Sequence, residues 1–426
     1  MAMIGYVARV LTGVRFKKMN HMIDVVHQKC GQNKVRTFFD MLWCAVRYGA
    51  GYYDYTMFGF YDMTGAQRDT YLTRVRNKKV SNIMNDMAHD DDFDDKLLFN
   101  VRFAKYLRRP TLNGETATPE QMAQFLEGQE AIFAKINHGS CGNGVEKLYV
   151  KDFESPAAML DYIREKKLVV LEHVQAQHPD MARLHPQSVN TMRICTDLVD
   201  GRVHIAYITL KMGRGGGVCD NSGQGGILCR VDIDTGKICS PATDDYFNVF
   251  DKHPDTGIPL VGYQLPMIEE AKALACQAAL EIPEVGHVGW DMAIGPDGPA
   301  IIEGNDFPGT DLCQLAPFCP EKTGLWPYYK KRIKRKSGAA TQRRSACQKG
   351  SAVCRAEPVL HVRVVWYIWK HKSLSKSRKR LFYPTNKRSW YKFLLQSAGA
   401  CGTLSIESEA PPGGAGITGT LIGGTP

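Results

Sequence analysis

The sequence has no run of the ~18–20 uninterrupted apolar residues that a membrane-spanning helix requires. Its longest apolar stretches, such as Val359 to Trp369, are interrupted, here by His361 and Arg363. Residues 1–18 have no compact apolar core of a secretory leader and no small-residue cleavage site. The expectation is a soluble, cytoplasmic protein without a transmembrane segment. No CxxC pair occurs among the thirteen cysteines, which argues against a disulfide framework or a zinc site and for buried, reduced thiols. The glycine-rich stretch from Gly139 to Gly144 is neither a Walker A motif nor a clean GxGxxG, so it matches neither of the two commonest phosphate loops.

An excess of positive charge is lacking over most of the chain, although the net charge is +10. Residues 331–392 hold nineteen lysines and arginines against the single acid Glu357, which leaves residues 1–330 net acidic. A polyanion-binding body is excluded on that distribution, and no specific nucleic-acid partner is expected.

Three regions follow from the patterning. Residues 1–90 repeat apolar positions at helical spacing, with aromatics concentrated from Tyr48 to Tyr61, and predict a helical N-terminal region. The acidic run Asp90 to Asp95 precedes Lys96-Leu97-Leu98-Phe99 and predicts a helix start, because carboxylates favour the positive helix end. Residues 91–330 change to short apolar runs separated by glycine. Strands are predicted at 131–136, 168–173, 190–198, 202–210, 288–294 and 299–302, and a helix at 266–281. Helices beside mostly antiparallel sheets make an α+β domain. Residues 331–426 are basic, then rich in glycine, and predict a disordered tail.

The most specific chemistry lies in Gly289-Trp290-Asp291-Met292-Ala293-Ile294, a turn at 295–298, then Pro299-Ala300-Ile301-Ile302-Glu303-Gly304-Asn305. Alternation puts Glu303 and Asn305 on one strand face, and a hairpin brings Asp291 beside them. Two carboxylates and an amide oxygen are hard ligands suited to magnesium or manganese. Lys135 at a strand end leads into His138-Gly139-Ser140-Cys141-Gly142-Asn143-Gly144, where Gly139, Ser140, Gly142 and Gly144 let backbone N–H groups approach phosphates. The strand ending in Glu172-His173-Val174 offers backbone groups to an adenine edge. Arg193, Lys211 and Arg214 stand close to glycine-rich turns, as a polyphosphate requires. The competing arrangement pairs either arginine with an acid nearby in sequence, Asp197 or Asp220.

In this order the pieces resemble the ATP-grasp superfamily, and most closely its sugar-transfer-associated family. Asn190-Thr191-Met192-Arg193, Asp220-Asn221 with Gly225-Gly226, and Gly289-Trp290-Asp291 carry the resemblance, which covers residues 35–325. It implies two α+β subdomains gripping ATP, with Lys96 and Lys135 on the phosphates, Glu172 to Val174 along the adenine, and Mg2+ on Asp291, Glu303 and Asn305. It implies a carboxylate–amine ligase working through an acyl-phosphate, with small-molecule substrates linked to a sugar or a cell-surface polysaccharide precursor. A hydroxyl kinase or a nucleotide-binding regulator is the alternative. One departure stands out: many such ligases have an arginine just before the metal aspartate, and this chain has Gly289 and Trp290. The catalytic cation is therefore expected from Arg193, Lys211 or Arg214.

Overall fold

The computed structural model describes residues 15–139, 144–217, 219–309 and 311–334. Two antiparallel sheets organise them. The smaller has the order β1-β4-β2-β3, built from β1 (Thr111–Asn113), β2 (Ala131–Lys135), β3 (Val145–Tyr149) and β4 (Val170–His173). The larger has seven strands in the order β11-β10-β5-β6-β7-β8-β9. Its working part is β5 (Thr191–Val199), β6 (Arg202–Met212), β10 (His287–Gly295) and β11 (Gly298–Asn305), with β7 (Ile227–Val231), β8 (Ala242–Thr243) and β9 (Val249–Phe250) completing the edge.

Counting helices of six residues or more, α1 (Phe16–Cys30), α2 (Lys34–Tyr48), α3 (Tyr52–Met57) and α4 (Arg74–Met84) form the expected helical region, of which residues 1–14 lie outside the described part. α2 starts where the Asn33 side chain accepts from the N–H groups of Val35 and Arg36, satisfying two of the donors that a helix start leaves unpaired. Met19, Met22, Ile23 and Val26 of α1 meet Met41, Cys44 and Tyr48 of α2, and this cluster also takes in Leu228, Leu315 and Phe318. The helical region is thus packed onto the larger sheet.

The acidic run is itself partly helical, over Asp91–Asp94. α5 (Lys96–Arg102) then starts with Asp95 as its cap, accepting from Leu98 N–H at 2.9 Å. α6 (Pro119–Leu126) and α7 (Pro156–Lys166) cover the smaller sheet through Met122, Leu126, Met159, Leu160 and Ile163. Both begin with proline in the first turn behind a Thr or Ser cap, where the missing N–H costs nothing. After the short α8 (Pro179–Leu184), α9 (Ile268–Ala278) lies within the predicted 266–281 and buries Ile268, Ala271, Leu274, Ala275 and Ala278 at helical spacing.

Alternation decides which face of the larger sheet does what. On β5 and β10 the even-numbered Met192, Ile194, Val288, Trp290 and Met292 enter the main hydrophobic core. Trp290 is fully buried there beside Phe93 and Phe103, with its indole N–H donated to Thr196 Oγ1 at 2.9 Å. The odd-numbered Arg193, Cys195, Asp197, His287, Gly289 and Asp291 take the opposite face. Part of that face is covered by α4 and by residues 326–334, a helix that reaches past the boundary expected at 330. Its Tyr329 and Ile333 are buried against Leu72, Val80, Met84 and Tyr207. Residues 335–426, the rest of the expected tail, lie outside the described part. No helix of the described residues is long and apolar enough to cross a membrane.

Candidate functional site

The hairpin β10–β11 closes through Gly295↔Gly298 around the two residues Pro296 and Asp297. The register shifts by one residue at a bulge between Met292 and Asp291, which sets Asp291 opposite Glu303 and Gly289 opposite Asn305. On its other side β10 pairs with β5, and Asp291 stands opposite Arg193. β5 in turn sets Thr191 opposite Lys211 of β6. Four strands therefore deliver Lys211, Arg193, Asp291 and Glu303 to one face.

Their contacts are close. Arg193 donates from Nε to Asp291 Oδ1 at 2.5 Å and from a terminal nitrogen to Oδ2 at 2.8 Å. Lys211 Nζ donates to Asp291 Oδ2 at 2.9 Å. Arg193, Lys211 and Asp291 are all buried. The partner of Arg193 is thus Asp291 across the sheet, in place of Asp197 or Asp220. Gly289 makes room for it: a Cβ there would stand 2.8 Å from Pro308 Cβ and 2.9 Å from Arg193 Cδ. The arginine beside Asp291 therefore comes from the neighbouring strand.

Charge on this face is unevenly shared. Burial opposes ionisation of Asp291, but Arg193 and Lys211 hold its carboxyl well below the usual carboxylate range. Burial and then the Asp291 carboxylate push Glu303 above its ordinary value. Both cations are held protonated, burial opposing and Asp291 prevailing. Asp220 anchors the glycine-rich segment that follows β6, since its Oδ2 accepts from Thr191 N–H at 2.8 Å and from Thr191 Oγ1 at 2.5 Å. Asn305 donates to Gly289 O at 3.4 Å.

A second cluster sits on the smaller sheet. Lys135 Nζ lies 2.8 Å from Glu172 Oε2, and Arg109 lies 2.9 Å from the same oxygen. Burial raises and the two cations lower the Glu172 carboxyl, to about 2. Arg109 also donates to Ile301 O at 2.7 Å and Ile302 O at 3.2 Å, both on β11. This residue ties the smaller sheet to the hairpin carrying Glu303, and the sequence reading did not single it out. Its partners are 63 and 192 residues away, so no local pattern reports it. The adenine-edge expectation narrows: Glu172 is registered against both Phe133 and Thr111, and His173 N–H is donated to Pro110 O. Val174, exposed beyond the strand, is the first residue past this ladder. The His173 ring is held by Phe125 O at 2.7 Å.

Lys96 is brought to the glycine loop, with Nζ 2.5 Å from Gly139 O, and Leu97 N–H is donated to Asn137 Oδ1 at 3.0 Å. Ser140 and Gly142 lie outside the described residues. Gly144 has φ +69° and a Cβ there would sit 2.6 Å from Ile136 Cδ1, so closing the β2–β3 hairpin already demands glycine. Arg214 takes other partners than Arg193: Asp244 Oδ2 at 2.9 Å and Gly225 O at 2.5 Å.

The sequence pattern of one family, described as sugar-transfer associated ATP-grasp, matches residues 75–327. The chain belongs to that family. The ATP-grasp fold accounts for the two sheets, and the family match leaves α1 to α3 outside it. Solved structures with a similar fold include D-alanine–D-alanine ligase from Coxiella burnetii, at 10% identity and a TM-score of 0.37 over 61% of this chain and 61% of that one. D-alanyl-alanine synthetase A from Vibrio cholerae is similar at 13% identity and a TM-score of 0.36, over 58% and 66%. Carboxyaminoimidazole ribonucleotide synthase from Aspergillus clavatus, solved with ATP, gives 12% and 0.31 over 50% and 44%. The ATP-grasp chain thus spans less than two thirds of each of these structures. No curated protein matches it.

Proposed function

We propose that this chain is an ATP- and Mg2+-dependent carboxylate–amine ligase acting through an acyl-phosphate, with a sugar-linked or cell-surface precursor as acceptor. The observation that carries the reading is the Lys211–Arg193–Asp291–Glu303 row, in which two buried cations and two carboxylates share one sheet face. The donor set fits a divalent cation: burial and then the neighbouring Asp291 carboxylate raise Glu303, and a bound cation would oppose both. Asp291, Glu303 and Asn305 would hold Mg2+, which would supply charge neutralisation to the nucleotide phosphates.

The chain's own groups do the rest. Lys96 beside Gly139, and Lys135, reach for phosphate oxygens as point charges. Arg193 fixes the Asp291 carboxylate through a planar fork and keeps a buried positive charge where negative charge develops during acyl transfer. Arg109 holds the Lys135–Glu172 pair in register with β11. Family membership supports the ATP dependence, and the sugar-associated description supports the acceptor class.

The test is a mass-spectrometric product screen with ATP, Mg2+ and pools of amino acids and sugar acids. Phosphate release that requires both a carboxylate and an amine supports the ligase. Phosphate transferred to a hydroxyl makes the chain a kinase, and tight ATP binding without turnover across the pools makes it a regulator.

A further inference from the structure

Two residues along β5 from Arg193, the same sheet face carries a second cluster that the nucleotide chemistry does not use. Cys195, Asp197 and His287 are all buried, at 0%, 0% and 1% exposure, and each offers a ligand atom within 4.8 Å of the other two. His287 Nδ1 lies 2.7 Å from Asp197 Oδ1 and 3.9 Å from Cys195 Sγ. Register brings them together: Asp197 stands opposite His287, and Cys195 opposite Gly289. His287 Nε2 is buried without a hydrogen-bond partner, and the buried hydroxyl of Tyr328 faces the Asp197 carboxylate, so that burial and then this charge push the phenol up.

We infer that Cys195, Asp197 and His287 form a buried structural site for a thiolate-binding divalent cation, zinc by its chemistry, separate from the magnesium site. Thiolate, imidazole and carboxylate together select zinc over magnesium, which takes oxygen ligands alone. Bonds of ~2.0–2.3 Å to a tetrahedral centre place ligand atoms roughly 3.3–3.9 Å apart. The sulfur–nitrogen pair at 3.9 Å has to close by a few tenths of an ångström, to the ~3.5 Å these two atoms take on a tetrahedral centre, and the nitrogen–oxygen pair at 2.7 Å has to open. Charge also balances: binding releases the thiol proton and the Nδ1 proton to solvent, and thiolate, carboxylate and dication sum to zero. Asp197 gains a cation, while the Nε2–H stays unpaired. Tyr329 completes the surroundings, its hydroxyl 3.8 Å from the sulfur, and its ring lies edge-on to His287 at 5.3 Å. That tyrosine belongs to the helix 326–334 covering the cluster, so the cation enters before this helix docks and its binding energy contributes to folding. The absence of CxxC spacing hides such a site, because its ligands come from strands 90 residues apart.

The competing arrangement is a His287 imidazolium held between the Asp197 carboxylate and the Cys195 sulfur. Burial disfavours the His287 charge, but Cys195 and Asp197 raise its pKa to about 10, so a cation must displace a well-held proton.

The test uses the full-length protein refolded with Zn2+ or Co2+, then dialysed against Mg2+. About one retained equivalent of zinc, a thiolate-to-cobalt charge-transfer absorption, and a higher melting temperature with Zn2+ than with Mg2+ are expected. Cys195→Ser should lose the absorption, His287→Gln should lose the zinc-dependent rise in melting temperature, and Cys239→Ser, at an exposed position, should keep both. Wild-type protein that is folded yet shows neither the absorption nor the rise has only the ion pair, and the inference fails. An absorption that persists in folded Cys195→Ser places the sulfur elsewhere and also overturns it. If Cys195→Ser does not fold, the wild-type spectrum and the His287→Gln melting curve decide.

Discussion

Arg193 and Asp291 face each other across adjacent antiparallel strands and join by two parallel hydrogen bonds of 2.5 and 2.8 Å, with Lys211 closing on the same carboxylate. A buried carboxylate held by two cations tolerates loss of its charge poorly, because each partner is then left uncompensated. Glu303, opposite it on β11, is in the reverse position, destabilised by the company it keeps.

These two carboxylates should therefore separate in mutation. Glu303→Gln is expected to cut turnover at least ~10²-fold by removing a metal ligand, with an unchanged or raised melting temperature. Asp291→Asn should cut turnover similarly and lower stability by about 3–5 kcal/mol. Turnover per folded molecule beside thermal melting checks both, and near-normal activity in either at ordinary magnesium removes that residue from the metal site.

Lys135→Ala should weaken ATP binding by ~1.5–3 kcal/mol, the typical value of a charge-assisted contact. Titration calorimetry reads this directly. An unchanged affinity would mean that the Lys135–Glu172 pair serves the smaller sheet alone.

The arginines should differ from each other. Arg193→Lys replaces a planar fork by a point charge and is expected to depress kcat more than ATP affinity. Arg214 is engaged by Asp244 and Gly225, so Arg214→Lys should leave kcat at saturation close to wild type. The check is kcat beside the ATP dissociation constant for both; equal loss of kcat would return Arg214 to the reacting centre.

Acid stability should report Glu172. Its carboxyl is at about 2 in the folded protein, where burial is outweighed by Lys135 and Arg109, against about 4.3 unfolded. A lowered acid stabilises above its unfolded pKa, and that contribution, about 3 kcal/mol, fades as pH falls from ~4.3 towards 2. Glu172→Gln should accordingly be less stable than wild type at pH 7, with the gap narrowing by pH 3 in urea unfolding. A gap independent of pH would assign the loss to packing.

A chain ending at Lys330 loses Ile333, which is buried with Tyr329 over β5 and β6. Loss of a large buried aliphatic side chain costs about 2–5 kcal/mol, so this truncation should melt earlier than one ending at Lys334, while the latter keeps wild-type ATP binding. Equal melting temperatures would show that the end of this helix contributes nothing.

What was legible in the sequence was local. The β10–β11 hairpin announces itself through alternation on both sides of Gly-Pro-Asp-Gly, and the strands at 190–198 and 202–210 through apolar runs joined by a tight turn. Thr111–Asn113 was not legible, since three residues carry no period. Strand pairing over long separations was equally hidden, and with it the Arg193–Asp291 fork and the bridge from Arg109 to both sheets. Asp197 and Asp220 looked like partners because they are near in sequence, whereas opposition in a sheet is decided by register.

Register also limits where this protein can change length. The two-residue connection Pro296–Asp297 fixes the pairing as far as Met292 against Ile301, and a bulge at Ile302 then sets Asp291 against Glu303. Inserting a residue between them, or removing the bulged one, would take Glu303 out of its place opposite Asp291. Length can change more freely in places such as the stretch between Lys211 and Asp220, whose two ends are held to Asp291 and Thr191 and which carries Gly213, Gly215, Gly216 and Gly217. New acceptor specificities would arise there, by lengthening one loop over an unaltered row of charges.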